Sequence, residues 1–200
     1  MTDHHLKLPV SEQEVRRLQA GDTVYLTGIL YTARDEAHMR ALEWKREGRE
    51  LPVRFDHGAL YHCGPIMKKV GEEWVIVAAG PTTSSRMNSL EPKFIEKFRP
   101  AAIIGKGGMS QPTIDAMAKF GTVYLAITGG AAVLAAKGVK KVHGVHWFEF
   151  GMPEAIWVLE ADNFGPLTVG IDSHGKSMFV NVDTIVKGNI EKVRKKLKLA

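Results

Sequence analysis

The sequence predicts an α/β fold with mixed sheets in a single domain, and three observations support this prediction. Segments with helical spacing alternate with short apolar segments through the middle of the chain. Both ends are richer in strand-like segments, which favours mixed layers over a purely doubly wound parallel sheet. No repeat, low-complexity linker or composition shift divides the 200 residues. We therefore expect one domain over residues 1–186, followed by a basic C-terminal helix over residues 187–200.

The first third of the chain is predicted to contain two helices and one strand. Ser11 and Glu14 have the spacing of a capping box, which predicts a short helix that ends before Gly21. Residues 23–31 are rich in β-branched and aromatic side chains and predict a strand. Helical spacing returns over residues 34–46. We expect His4 and His5 to lie in a disordered end.

The remainder of the chain begins with an apolar strand over residues 74–79 that breaks at Gly80-Pro81. The predicted helices that follow cover residues 92–98, 113–120, 131–136 and 189–198. The predicted strands cover residues 101–104, 122–127, 142–147, 156–160, 167–172 and 177–182.

Composition excludes several classes of protein. The hydrophobic content of 44% and the charged content of 24% are ordinary for a globular protein, and no apolar run approaches the roughly 20 residues of a membrane span. Cys63 is the single cysteine, so no internal disulfide forms and one chain lacks the thiolates of an iron–sulfur cluster. The N-terminus lacks a secretory signal pattern. We expect a cytoplasmic protein.

The net charge of +5 arises in the last 14 residues, where six basic residues accompany one acidic residue. This segment contains no aromatic residue that could stack on bases, so we expect no nucleic-acid partner. A solvated helix face is the simple interpretation, and docking on an acidic partner is the alternative.

Three segments place cationic or hydroxyl side chains where a predicted strand ends, the usual ligand edge of an open α/β sheet. They contain Arg34, then Thr82, Thr83 and Arg86 within Gly-Pro-Thr-Thr-Ser-Ser-Arg-Met, then Lys106 within Gly-Lys-Gly-Gly. Glycines and hydroxyl groups suit an anion cradle, and arginine presents a fork that matches a carboxylate. Together the three cations predict a site for a molecule with two carboxylates.

Each of these segments also has a simpler interpretation. Arg34 could form a surface pair with Asp35, the hydroxyl run could cap the next helix, and Lys106 could lie exposed in a glycine turn. Gly129-Gly130 could begin a helix, with anion contact as the alternative.

Other residues give weaker indications. The histidines lack metal-ligand spacing, and His143 and His146 fall on different faces of a predicted strand, so we expect no metal site. A catalytic pair of His62 and Cys63 stays open as an alternative. Trp147, Phe148 and Trp157 are expected in the core.

Five segments occur in the same order as in the iron–sulfur class I fumarate hydratases: TARDEAHMR (32–40), GPTTSSRM (80–87), GKGG (105–108), TGGAAVLA (128–135) and GMPEAIW (151–157). The chain resembles their C-terminal domain, or the separate beta subunit of two-chain forms, over roughly residues 8–182. The L-tartrate dehydratase beta subunit shares the pattern. The chain departs from it at Asn88 and Leu90, where acidic and aromatic residues are often found, and at His62-Cys63.

The resemblance implies a swivelling β/β/α domain and a beta subunit that takes part in the reversible hydration of fumarate to (S)-malate. It implies that Arg34, Thr83, Arg86 and Lys106 bind substrate, and that Thr82 binds substrate and handles the C3 proton. A four-iron four-sulfur cluster is implied on a partner alpha subunit, within a heterotetramer or beside a beta–beta dimer. L-tartrate dehydration and a non-catalytic dicarboxylate-binding module stay open as alternatives.

Overall fold

The structure is a computed structural model that describes residues 2–197. Its strands are β1 (Asp3–Lys7), β2 (Thr23–Thr32), β3 (Ala59–Tyr61), β4 (Ile66–Val70), β5 (Glu73–Ala78), β6 (Ala102–Gly105), β7 (Val123–Ala126), β8 (Val139–His146) and β9 (Ile156–Ile171). Its helices are α1 (Glu12–Val15), α2 (Asp35–Arg46), α3 (Glu91–Phe98), α4 (Gln111–Phe120), α5 (Ala132–Lys137) and α6 (Met178–Lys196). Two 3-10 helices cover Ser84–Met87 and Phe148–Phe150.

The main sheet contains seven strands in the order β1-β2-β3-β6-β7-β9-β8, and β4 and β5 form a separate antiparallel pair. Strands β2, β3, β6 and β7 run parallel to one another. The long strand β9 runs antiparallel to both β7 and β2, so that these five strands form a closed ring of pairings. The predicted α/β class with mixed sheets is confirmed.

Alternation along the short central strands separates two cores, because successive side chains point to opposite faces. Leu60, Ile103 and Tyr124 face the layer formed by α2, α3 and α4. Their neighbours in sequence, among them Ile104 and Leu125, face the core inside the ring. This two-sided burial explains why β6 and β7 have continuous apolar sequences.

The predicted helix starts follow from local chemistry. The Ser11 hydroxyl accepts a hydrogen bond from the Glu14 amide, and the Glu14 carboxylate accepts one from the Ser11 amide, which confirms the capping box. The bond from Ser11 lowers the pKa of Glu14. Helix α4 ends at Gly121, whose φ of 72° is costly for residues with a side chain.

Three local predictions were wrong. His4 and His5 lie in β1, where the His5 ring stacks on Tyr25 with a centroid separation of 4.8 Å. Residues 177–182 begin α6 instead of forming a strand, because the Ser177 hydroxyl accepts a hydrogen bond from the Val180 amide and caps a helix. Phe148 is 44% exposed, whereas Trp147 and Trp157 are buried as predicted.

The predicted strands over residues 156–160 and 167–172 are parts of the single strand β9. Asn163, Gly165 and Pro166 indicate a turn in sequence, but here they lie where the register of β9 against β2 shifts. Such irregular positions tolerate glycine and proline within a strand.

Helix α6 contains the boundary expected between residues 186 and 187. Its apolar side chains from Val180 onward are largely exposed, since only its first turn packs on the sheet through Phe179. The end of the predicted basic tail, residues 198–200, lies outside the described residues. None of the helices described combines the length and apolar character needed to cross a bilayer.

Candidate functional site

The parallel strands bring two of the three predicted segments to one edge of the sheet. Strands β2, β3, β6 and β7 end at this edge, because parallel strands present their carboxyl ends together. Arg34 follows β2, His62 follows β3, and Lys106 follows β6. The loop that contains Gly129 follows β7.

Backbone hydrogen bonds place the Thr82 turn between the ends of β3 and β6. The Thr82 amide donates to the His62 carbonyl oxygen at 2.7 Å, and the Lys106 amide donates to the Thr82 carbonyl oxygen at 3.3 Å. The Ser84 amide donates to the Lys106 carbonyl oxygen at 3.0 Å. The structure therefore brings Thr82, Thr83 and Lys106 together, although they are distant in sequence.

The hydroxyl run does not serve as a helix cap. Thr83 precedes the 3-10 helix, but its side chain makes no capping hydrogen bond. Ser84 is fully buried, whereas Thr83 and Ser85 are exposed and Thr82 is half-buried. The threonine hydroxyls are thus left at the surface of the edge, while Ser84 belongs to the layer beneath it.

Each of the two arginines at this edge is held by a carboxylate of the chain. Arg34 Nη2 lies 3.0 Å from Glu154 Oε1, and both side chains are less than one-fifth exposed. Arg86 Nη2 lies 2.6 Å from Asp35 Oδ2 in a more open position, where the arginine is 48% exposed. The surface pair of Arg34 with Asp35 is therefore a wrong interpretation, because Asp35 pairs with Arg86.

Arg34 has an unused donor in this arrangement. It is the residue before α2 and makes no side-chain capping bond, and its buried Nε has no hydrogen-bond partner among the described residues. A Cβ at Gly64 would lie 2.5 Å from Arg34 Nη1, so glycine is needed there for the guanidinium to reach Glu154.

Lys106 is the uncompensated cation of the edge. It is half-buried and forms no ion pair within residues 2–197. A Cβ placed on Gly129 would lie 3.9 Å from Lys106 Nζ, so the loop after β7 approaches the ammonium group closely. Gly129-Gly130 therefore lies beside the predicted anion site as well as before α5.

A buried polar cluster lies beneath this edge, formed by His38, His62, Ser84, Glu91 and Tyr124. Glu91 Oε2 lies 3.0 Å from His62 Nε2 and 3.3 Å from His38 Nε2. His62 Nδ1 lies 2.9 Å from Ser84 Oγ, which also accepts the Tyr124 hydroxyl at 3.0 Å. Gly105 makes room for the cluster, because a Cβ there would overlap Ser84 Oγ.

The charges of this cluster follow from competing effects. Burial alone would raise the pKa of Glu91, but the His62 and His38 rings outweigh burial and lower it to about 2. Burial alone would lower the pKa of His38, but Glu91 and the Arg34 carbonyl outweigh it, so that the pKa is raised. Burial prevails at His62 and lowers its pKa. The directions of these shifts therefore favour an ionised Glu91, and they place a proton more firmly on His38 than on His62.

Sequence reasoning missed the roles of His38 and Glu91. His38 lies four residues after Arg34, one helical turn along α2, which was a usable signal. No sequence pattern indicated the role of Glu91, because an acidic residue in the first turn of a helix is common.

The pair of His62 and Cys63 does not form a catalytic unit, because the His62 ring contacts Ser84 and Glu91. Burial raises the pKa of Cys63 to about 12, so its thiol is not a nucleophile near neutral pH.

His38, His62 and Glu91 also have ligand atoms within 4.8 Å of one another. Catalytic zinc sites also use three protein ligands but keep an open position for water or substrate, whereas these three side chains are fully buried. The His38 Nε2 and His62 Nε2 atoms already face the Glu91 carboxylate at ion-pair distance. We therefore interpret the cluster as a set of ion pairs and hydrogen bonds.

A cleft of about 350 Å³ lies away from this edge, lined by β5, α5 and the start of β8. It contains apolar and lysine side chains, and none of the predicted site residues lines it. The predicted anion site is instead an open edge of the sheet, where Thr83 and Arg86 are exposed and Thr82 and Lys106 are half-buried.

Comparison with known proteins places these features in a family. The chain matches the family model described as Fumarase C-terminus over residues 2–182. It is 48% identical over 175 residues to a provisionally named L(+)-tartrate dehydratase subunit beta of Methanocaldococcus jannaschii, covering 87% of this chain and 90% of that protein. It is 42% identical over 173 residues to the L(+)-tartrate dehydratase subunit beta of Escherichia coli strain K12, covering 86% and 85%.

A longer relative shows the same similarity within one chain. A provisionally named class I fumarate hydratase of Geobacillus stearothermophilus is 39% identical over 189 residues, which are 94% of this chain and 35% of that protein. The resemblance read from the five sequence segments is confirmed, and the chain belongs to the fumarase C-terminal domain family.

Proposed function

We propose that this chain is the substrate-binding beta subunit of a two-subunit hydro-lyase for four-carbon dicarboxylates. The observation that carries the proposal is the grouping of Arg34, Arg86 and Lys106 around the Thr82 turn at the carboxyl edge of the sheet. One ion pair at about 4 Å contributes about 4 kcal/mol near a partly buried site but only about 1 kcal/mol in water. The open edge therefore suits a site that a second subunit covers.

The residues of this chain would act mainly through charge and position. The guanidinium groups of Arg34 and Arg86 match the two oxygens of a carboxylate, and Lys106 adds a compact positive charge. These cations stabilise the negative charge that develops next to a carboxylate as the C3 proton leaves. Thr82 would take part in moving that proton. A threonine hydroxyl is a weak base, so this role requires activation by a neighbouring cation such as Lys106.

The iron–sulfur cluster implied by the resemblance does not fit this chain. Its only cysteine is fully buried, and a cluster needs several thiolates. We therefore place the cluster on a partner alpha subunit, where its iron would act as a Lewis acid toward the leaving hydroxyl. Two of the relatives are named as beta subunits, which supports such a partner. The proposed assembly is cytoplasmic, and it is either a heterotetramer or a beta–beta dimer with its alpha partners.

Two dicarboxylates are candidate substrates. Loss of water from (S)-malate gives fumarate, the reaction implied by the sequence motifs. Loss of water from L-tartrate gives the enol of oxaloacetate, and the higher identity to tartrate dehydratase subunits favours this substrate.

The test is to coexpress the chain with its cluster-bearing partner under anaerobic conditions and measure turnover of both substrates. Arg86→Ala should abolish activity. Arg54→Ala is a matched control, because Arg54 also pairs with an aspartate at 3.0 Å but precedes β3, at the opposite end of that strand. Full activity of the Arg86 variant would contradict the proposed site. Dicarboxylate binding without turnover would indicate a non-catalytic module.

A further inference from the structure

We propose that His38, Glu91 and His62 form a buried positioning cluster that fixes Arg34 and the Thr82 turn relative to each other. The link to substrate rests on the proposed function, whereas the link between the two segments is a property of the fold. The cluster is distinct from the groups proposed to touch substrate, since all three side chains are fully buried.

The cluster joins parts of the chain that are distant in sequence. His38 Nδ1 donates to the Arg34 carbonyl oxygen at 2.7 Å, which fixes the backbone that carries the guanidinium. On the other side, the His62 carbonyl oxygen accepts the Thr82 amide at 2.7 Å. Glu91 lies between the two rings at the start of α3. One carboxylate thus connects the residue before α2 with the turn that contains Thr82.

The hydrogen-bond partners determine where the protons are. A carbonyl oxygen can only accept, so His38 Nδ1 carries a proton, and His38 Nε2 needs a second proton to face the Glu91 carboxylate favourably. The Tyr124 hydroxyl donates to Ser84, whose own hydroxyl can donate to His62 Nδ1. His62 Nε2 then carries the proton and lies 3.0 Å from Glu91 Oε2, a contact at ion-pair distance whose geometry is not that of a hydrogen bond. Asp35, at the start of α2, is a further charged group close to both rings.

Stability alone does not account for such a cluster. Removing charges from water is costly, and well-packed apolar side chains often replace a buried ion pair without loss of stability. Buried ionic groups can instead hold a particular geometry, as partners behind metal ligands do when they orient those ligands. The position of this cluster, directly under the two segments of the proposed site, supports that role.

The test uses Glu91→Gln, which keeps the side-chain size but removes the charge. Thr122→Val is the matched control, because Thr122 is also fully buried and donates one hydrogen bond, to the Pro100 carbonyl oxygen at 2.7 Å, but lies before β7. Amide hydrogen exchange of the full chain should become about 10-fold faster at Thr82 in Glu91→Gln, which corresponds to a local loss of stability of about 1.4 kcal/mol. The control should leave exchange at Thr82 unchanged. Equal exchange at Thr82 in the wild type and Glu91→Gln would overturn the proposal.

Substrate affinity supplies the second readout. In the assembled complex, Glu91→Gln should weaken dicarboxylate binding by about 10-fold, whereas Thr122→Val should not, even if both variants melt at similarly reduced temperatures. Equal affinities would overturn the positioning role. If the wild-type complex binds no dicarboxylate, the proposed function fails, while the exchange measurement still decides whether the cluster fixes the two segments. If Glu91→Gln does not fold, both measurements are made on His38→Gln instead. This variant removes the bond to the Arg34 carbonyl.

Discussion

Arg34→Ala and Arg86→Ala should both impair substrate binding, but only Arg34→Ala should lower stability substantially. The Arg34–Glu154 pair is mostly buried at 3.0 Å, where the gross attraction is about 5–6 kcal/mol at an effective dielectric constant of about 20. Desolvation offsets much of this attraction. Removing Arg34 leaves a largely buried carboxylate unpaired, at a net loss of about 2 kcal/mol. For a chain of this size that corresponds to a fall in melting temperature of about 4–8 °C.

Arg86 provides the comparison, because its pair with Asp35 is half exposed and is screened by solvent. Such pairs contribute about 0.5 kcal/mol, so Arg86→Ala should lower the melting temperature by about 1–2 °C. Calorimetric melting of both variants beside Arg54→Ala measures the difference. Equal shifts for the two site variants would refute the assignment of Arg34 as the more buried and structurally coupled arginine.

Three further predictions concern the buried groups and the C-terminal helix. The pKa of Glu91 is lowered from 4.5 to about 2 by its histidine partners, so its contribution to stability is present above about pH 4.5 and is lost as the pH falls towards 2. The difference in denaturant stability between the wild type and Glu91→Gln should therefore shrink across that range. Cys63 should resist alkylation in the native chain and react after unfolding, and Cys63→Ala should retain activity. Deleting residues 183–200 should change the unfolding free energy by less than about 1 kcal/mol, measured in urea, because the side chains of α6 are largely exposed.

The sequence predicted the elements that have a strong local signal. Strands β2, β6 and β7 were located to within about two residues, because their apolar runs are bounded by glycine, proline or charged residues. Local sequence patterns did not predict the elements whose conformation depends on pairing with distant strands. β1 is a strand because it pairs with β2, and β9 continues through Gly165-Pro166 because β2 and β7 support it on either side.

The grouping of the proposed site was predictable for a physical reason. Parallel strands present their carboxyl ends at one edge, so recognising β2 and β6 was enough to place Arg34 and Lys106 at the same edge, although β3, which lies between them, was not predicted. Their acidic partners were not predictable, because Glu154 comes from the opposite half of the chain and meets Arg34 only in the folded structure. The cluster around Glu91 was hidden for the same reason, since no spacing rule connects α2, β3 and α3.

The ion pairs of the edge predict that this chain alone should bind dicarboxylates weakly. Of its three cations, Arg34 and Arg86 are already matched by Glu154 and Asp35, and Lys106 is the one of the three that forms no ion pair with the described residues. A doubly negative ligand would therefore meet a net charge of only about +1 at this edge, and binding to the arginines would require competition with their own carboxylates. A partner subunit that adds positive charge would raise the net charge at this edge. By excluding water, it would also strengthen the attraction between the ligand and the cations. Calorimetry should accordingly show at least about 10-fold tighter dicarboxylate binding in the assembled complex, whereas equal affinity for the isolated chain would contradict this account of the site.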